Sequence, residues 1–235
     1  MGLVIPLYDT IPARRFPYVT YVLIALNVLV FLYQIGLGPF EAHAIIDRWG
    51  FTPADITASL SGSGFDPRVI LTLFTAIFIH GGLIHIGGNM LYLHIFGNNV
   101  EDSMGRARFI VFYILIGVVA NLAQVVVAPD SGVPGVGASG AIAGVLGAYV
   151  LLYPRAGVVT LIPVFFFPIF VTIPALVILG FWFVIQLFQG SVTLFSGTAG
   201  AGGVAFWVHA AGFVMGALLI TFFRKKELTA GRSWL

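Results

Sequence analysis

Polar positions in this chain gather into short clusters between long apolar runs, and they do not alternate with apolar ones. A helix needs roughly 20 mostly apolar residues to cross hydrocarbon. Runs of that kind predict spans at about 18–37, 84–100, 107–128, 138–153, 169–188 and 204–223. The second and fourth are short or interrupted by Gly. They are expected at the centre of a bundle, covered by the others, because small residues let helix backbones meet but leave little to face lipid. The connection over 38–83 is long and holds RWGFTPAD, SGSGFDP and the apolar stretch Val69–Ile79. It predicts a partly embedded loop with short helices. The pattern as a whole predicts an all-α fold: one six-span membrane domain over residues 1–235, with no soluble second domain and no solenoid repeat.

Composition supports lipid as the solvent. The chain is 59% hydrophobic and only 9% charged, with a mean hydropathy of +1.04, whereas a soluble domain is about one quarter charged. The first apolar run exceeds a secretory signal core of roughly 7–15 residues and follows a polar leader, so it is expected to stay as a span. Cysteine is absent, which removes disulfides, thiol nucleophiles and thiolate metal sites. A net charge of +2 gives no footprint for nucleic acid.

The basic residues orient the bundle. With six spans, Arg14, Arg15, Arg106, Arg108, Arg155, Arg224, Lys225, Lys226 and Arg232 fall on one side, and only Arg48 and Arg68 on the other. The positive-inside rule then makes both termini cytoplasmic. The long first loop, the segment before Ser139 and the GTAGAGG loop (197–203) are expected on the outer side.

Ionisable groups inside a membrane are costly and mark function. Every Asp and Glu maps to a loop, a tail or a span end. That argues against an aspartyl protease, which needs paired carboxylates, and against a transporter with a carboxylate relay. No HExxH zinc motif is present. GTAGAGG lacks the GK[ST] of a phosphate loop. His80 and His85, five apart with no third ligand, make a poor metal site. No cofactor or metal is expected. His94 reads as a core histidine and His43 as a solvated one.

Ser139 and His209 remain. Both begin spans that run inward from the outer side, so they share a shallow depth. A serine hydroxyl becomes a nucleophile when a base takes its proton, and His suits that task near neutral pH. With no carboxylate at that depth, the pair would be a dyad with the imidazole held by packing. Gly140 and Gly144 on the fourth span and Gly212 and Gly216 on the sixth form small-xxx-small faces that let those helices touch. His85 and Asn89, four apart on one helical face, are candidate donors to a tetrahedral oxyanion.

GASG (137–140), HGGLIHIGGN (80–89), HAAGFVMG (209–216), FGNNVEDSMGRARF (96–109) and the opening IPLYDTIPARRFPYVTYVLIALNVLVF occur in an order that resembles the rhomboid intramembrane serine proteases. The resemblance covers nearly the whole chain. It implies a six-helix core with a water-filled site open to the outer face. It makes Ser139 the nucleophile and His209 the general base. His85, Asn89 and the Ser139 backbone N–H would be the oxyanion hole, His80 a structural hydrogen-bonding histidine beside it, and Gly137 the first Gly of GxSG. It casts the fifth span and GTAGAGG as lateral gate and cap, and pairs Arg48 with Trp49 in the outer loop. Implied substrates are single-span or other membrane proteins, cut near the outer face after small residues, and the implied home is a prokaryotic plasma (inner) membrane. An inactive client-binding protein of the same fold is the alternative. One position departs from the family: Ala143 stands where many members carry an aromatic against the base, which leaves His209 to be held by Phe206 or Trp207 or more loosely.

Overall fold

The computed structural model describes residues 4–62, 64–164, 167–198 and 205–225. Its elements in chain order are β1 (Ile5–Asp9), α1 (Tyr18–Gly36), α2 (Pro39–Trp49), α3 (Pro53–Leu60), α4 (Pro67–Thr75), α5 (Leu83–Met104), α6 (Arg106–Val127), α7 (Ser139–Leu152), β2 (Gly157–Val164), β3 (Phe167–Pro174), α8 (Ala175–Phe195) and α9 (Phe206–Phe223). A 3₁₀ turn, Ala76–Phe78, follows α4. The chain is mostly helical, and its long apolar helices make it an integral, multi-pass membrane protein.

Among the described residues, four helices (α1, α6, α8 and α9) are each long and apolar enough to cross a bilayer, and α4 with α5 makes a fifth candidate broken by a 77° bend. α7 has 14 residues, about 21 Å at 1.5 Å per residue, which is shorter than the ~30 Å hydrocarbon core. A helix that short survives only inside a ring of others. Every residue from Gly140 to Val150 is buried. Its small side chains let α9 come close: Gly212 faces the Gly140 carbonyl, and Gly216 faces the Gly144 carbonyl, with no room between for a methyl group.

The all-α expectation is corrected by a three-stranded antiparallel sheet in the order β1-β2-β3. β2 and β3 pair from Gly157↔Pro174 to Val164↔Phe167, and β1 joins β2 with a shift in register between Pro6 and Tyr8. The expected fifth span, 169–188, moves with it. FPIFVTIP is rich in β-branched and aromatic residues, which suit a pleated surface, so 169–174 are strand. Pro174 then stands at the cap of α8, where its lack of an N–H costs nothing. The helix runs to Phe195, and the apolar pattern alone could not separate an apolar strand from the start of a span.

The segment between α1 and α5 folds into α2, α3 and α4. Phe51 and Gly135 exchange backbone hydrogen bonds (3.1 and 2.8 Å), and the Ala54 N–H donates to Ser131 O (3.0 Å), which seats the loop on the segment leading to Ser139. Residues 199–203 of GTAGAGG lie outside the described residues.

Basic segments meet at the far end of the bundle. The Arg14 N–H donates to Asp102 Oδ2 (3.1 Å), Arg108 Nη1 to Phe223 O (3.2 Å) and the Lys225 N–H to Ser103 O (3.0 Å). Ser139, at the N-terminus of α7, occupies the opposite end.

Candidate active site

The loop before α7 is built around Gly137. Its φ of 126° lies in a region that side-chain-bearing residues rarely adopt. A Cβ there would also lie 2.7 Å from His85 Nε2. The Gly137 N–H donates to Ala76 O (2.8 Å) and ties the loop to the 3₁₀ turn. Ser139 follows as the first residue of α7, so its backbone N–H belongs to the turn that has no intrahelical acceptor.

From α9, His209 reaches the serine: its Nε2 is 2.8 Å from Ser139 Oγ. Its other ring nitrogen, Nδ1, is 2.8 Å from Gln186 Oε1 on α8. An amide oxygen can only accept, so the imidazole proton rests on Nδ1 and is donated to Gln186. Nε2 keeps its lone pair and accepts the Ser139 O–H. One turn earlier on α8, the Trp182 ring lies beside the imidazole, with centroids 5.8 Å apart and planes at 35°.

His85 and Asn89 face the same loop from α5. The Gly81 N–H donates to His85 Nδ1 (3.4 Å), which leaves the proton on Nε2, the nitrogen turned toward Gly137. Asn89 Nδ2 also points to Gly137, and it is buried without a hydrogen-bond partner among the described residues. Two side-chain donors thus converge on Gly137, two residues before Ser139. Preorganised donors of this kind can stabilise negative charge that develops on an oxygen. His80 is fully buried with its ring edge-on to His85 at 5.1 Å, and its carbonyl accepts from Gln34 Nε2 (2.9 Å). Its ring nitrogens have no hydrogen-bond partner among the described residues, so its contact with His85 is one of packing.

Other expected residues fall elsewhere. His94 lies against Tyr21 (5.8 Å between centroids), and His43 Nδ1 donates to Pro39 O (2.7 Å). Arg48 stands over the Trp49 ring at 5.5 Å. No group of three His, Cys, Asp or Glu that could hold a metal occurs among the described residues.

The holders of His209 correct the sequence reading. Trp207 turns away and donates its Nε1–H to Gly190 O (3.1 Å), and the imidazole is bounded by Trp182 and Gln186. Neither residue was singled out from the sequence. The available signal was a buried-type amide in the apolar run ALVILGFWFVIQLF, four residues after a Trp and therefore on the same helical face.

Fold and site together describe a polytopic membrane protein with a hydrogen-bonded serine–histidine pair at one end of a buried short helix. The rhomboid domain model matches residues 67–226. The chain belongs to the rhomboid family. It is similar to the rhomboid protease GluP of Bacillus subtilis, 34% identical over 138 residues, which is 58% of this chain and 24% of that protein. It is also similar to Rhomboid-like protein 11, chloroplastic, of Arabidopsis thaliana, 40% identical over 78 residues (33% of this chain, 28% of that protein). Inactive rhomboid protein 1 of Drosophila melanogaster is 28% identical over 86 residues (37% and 6%). The chain thus spans about a quarter of the length of GluP. A rhomboid protease and an inactive rhomboid protein are thus both among these relatives.

Proposed function

We propose that this protein is an intramembrane serine endopeptidase that cuts transmembrane helices of membrane-protein substrates near the outer membrane face. The observation that carries the reading is the 2.8 Å contact of Ser139 Oγ with His209 Nε2. In the proposed reaction Ser139 Oγ attacks the scissile carbonyl carbon while its proton passes to His209 Nε2. The carbonyl oxygen becomes an oxyanion held by the His85 Nε2–H, the Asn89 Nδ2–H and the Ser139 backbone N–H. When the C–N bond breaks, the imidazolium gives its proton to the leaving amine. A water then attacks the acyl-enzyme with His209 as base, and the acid and Ser139 are released. A substrate helix must unwind for this attack, so helix-breaking sequences near the cut would favour cleavage, with small residues before the bond.

The proposal includes six spans, counting α7 and the bent α4–α5 pair, with both termini cytoplasmic in a plasma (inner) membrane. The clustering of Arg14, Arg108 and Lys225 opposite Ser139 supports that orientation. An inactive client-binding role is the second reading, favoured by the inactive Drosophila relative. The presence of both Ser139 and His209 in hydrogen-bonding geometry speaks against it.

The test is cleavage of a single-span substrate by purified protein, with fluorophosphonate labelling of the serine, beside Ser139→Ala and His209→Ala. Cleavage and labelling by the parent alone are expected. Binding of substrates without cleavage by any form would move the client-binding reading forward.

A further inference from the structure

α8 is a peripheral helix. Leu176, Val177, Phe181, Val184, Phe188 and Val192 are all exposed on it, and its buried residues are only Ala175, Leu179, Gln186 and Gly190. An amide buried on such a helix is costly unless its hydrogen bonds are met. Gln186 is 7% exposed, and the bond to His209 Nδ1 is what its Oε1 makes. Apolar packing would be served as well by Leu or Met, so the amide is not required by the core.

The geometry assigns Gln186 as a positioning residue for His209, completing a Ser139–His209–Gln186 hydrogen-bonded chain with a neutral acceptor in place of a carboxylate. The inference rests on the endopeptidase reading above. Gln186 Oε1 accepts only the Nδ1–H tautomer, and that is the form whose Nε2 can take the serine proton. Without the acceptor, the imidazole is free to hold its proton on Nε2, where it faces Ser139 as a donor and cannot act as base. Trp182, on the same face of α8, limits tilting of the ring. The base on α9 is therefore set by α8, a helix exposed to lipid on most of its surface. It follows that α8 must remain seated on α9 while bonds are made and broken. A substrate helix that reaches Ser139 by displacing α8 disarms the base until α8 returns.

The experiment compares Gln186→Met, which keeps length and loses the acceptor, with Gln186→Glu, which keeps an acceptor in the same place. The readouts are kcat and KM on a single-span substrate, and the rate of fluorophosphonate labelling of Ser139, which needs no substrate helix. For Gln186→Met, kcat and the labelling rate should fall about tenfold, the order of one lost buried hydrogen bond, with KM unchanged. Gln186→Glu should recover most of the loss. Should Gln186→Met fail to fold, Gln186→Ala replaces it with the same expectation. Labelling of the acceptor-free variant at the parent rate would overturn the assignment, as would an equal loss in the Glu and acceptor-free variants. If the parent and Ser139→Ala label alike, the endopeptidase reading itself falls and this inference with it.

Discussion

The carboxylate of Glu101 reaches across 81 residues of sequence to hold both the N–H and the hydroxyl of Thr20, each at 2.8 Å. The Val19 N–H donates to the other carboxylate oxygen at 3.1 Å. α1 has no side-chain cap of its own, so its first-turn amides depend on a residue of α5. Hydrogen bonds to a charged group are worth about 1.5–3 kcal/mol each. Glu101→Ala should lower stability by about 3 kcal/mol or more, read as the shift in reversible unfolding, and Glu101→Gln, which keeps an acceptor, by less. If the Ala variant unfolds with the parent, the carboxylate does not hold α1.

The α7–α9 contact should resist even one added carbon. At Gly216 a Cβ would run into the backbone carbonyl of Gly144, which cannot turn aside as a flexible side chain would. Overpacking typically costs about 1–3 kcal/mol. Gly216→Ala should therefore destabilise by that order and slow the proposed cleavage, because α9 carries His209. Gly180→Ala, on the open side of α8 with nothing within 4 Å, should be neutral or stabilising by up to about 1 kcal/mol through helix propensity. Thermal unfolding of the two variants checks the contrast.

Asp9 gives a stability term that depends on pH. Its Oδ2 accepts from Asn99 Nδ2 (2.7 Å) and from the Tyr149 hydroxyl. Burial nonetheless outweighs these two donors and holds the carboxyl above its ordinary value of 3.8. A raised folded pKa means that the folded state binds the proton more tightly. The stability so gained is full below pH 3.8 and is lost as pH rises through the folded pKa. Asp9→Asn should remove that slope: the difference in unfolding midpoint between variant and parent should move in favour of the variant from acidic to neutral pH. A constant difference would show that Asp9 titrates alike in both states.

The absence of cysteine makes a cross-link between α8 and α9 straightforward to interpret. A Cβ built on Gly190 lies 3.3 Å from the Phe206 Cβ, close to the ~3.5–4.5 Å of a disulfide. With Gly190→Cys and Phe206→Cys oxidised, α8 is pinned beside His209. Fluorophosphonate labelling of Ser139 should persist at the rate of the reduced protein, since the proposed chemistry needs α8 seated. A rate that collapses on oxidation and returns on reduction would mean that the active base requires α8 to move.

Much of the candidate site could be read from local pattern. Ser139 and His209 stand out because a hydroxyl and an imidazole at matched depth in apolar spans are hard to explain as packing. The small residues of α7 foretold its burial for the same reason that they allow it: without bulk they cannot shield a helix from lipid, and with close neighbours they need not. His85 and Asn89 were legible from a spacing of four, which is a property of one helix alone.

Tertiary structure decided the rest. Helical periodicity and hydropathy are local, so they locate a residue on a face but not the atom it meets. Gln186 was an unremarked amide until α8 came to rest on α9 and set its oxygen against His209 Nδ1. Glu101 was a charge at the end of a span until α1 brought its free amides to it. The sheet was hidden because an apolar strand and the start of an apolar helix carry the same hydropathy. Only the pairing of β1, β2 and β3 satisfies the backbone groups that tell them apart.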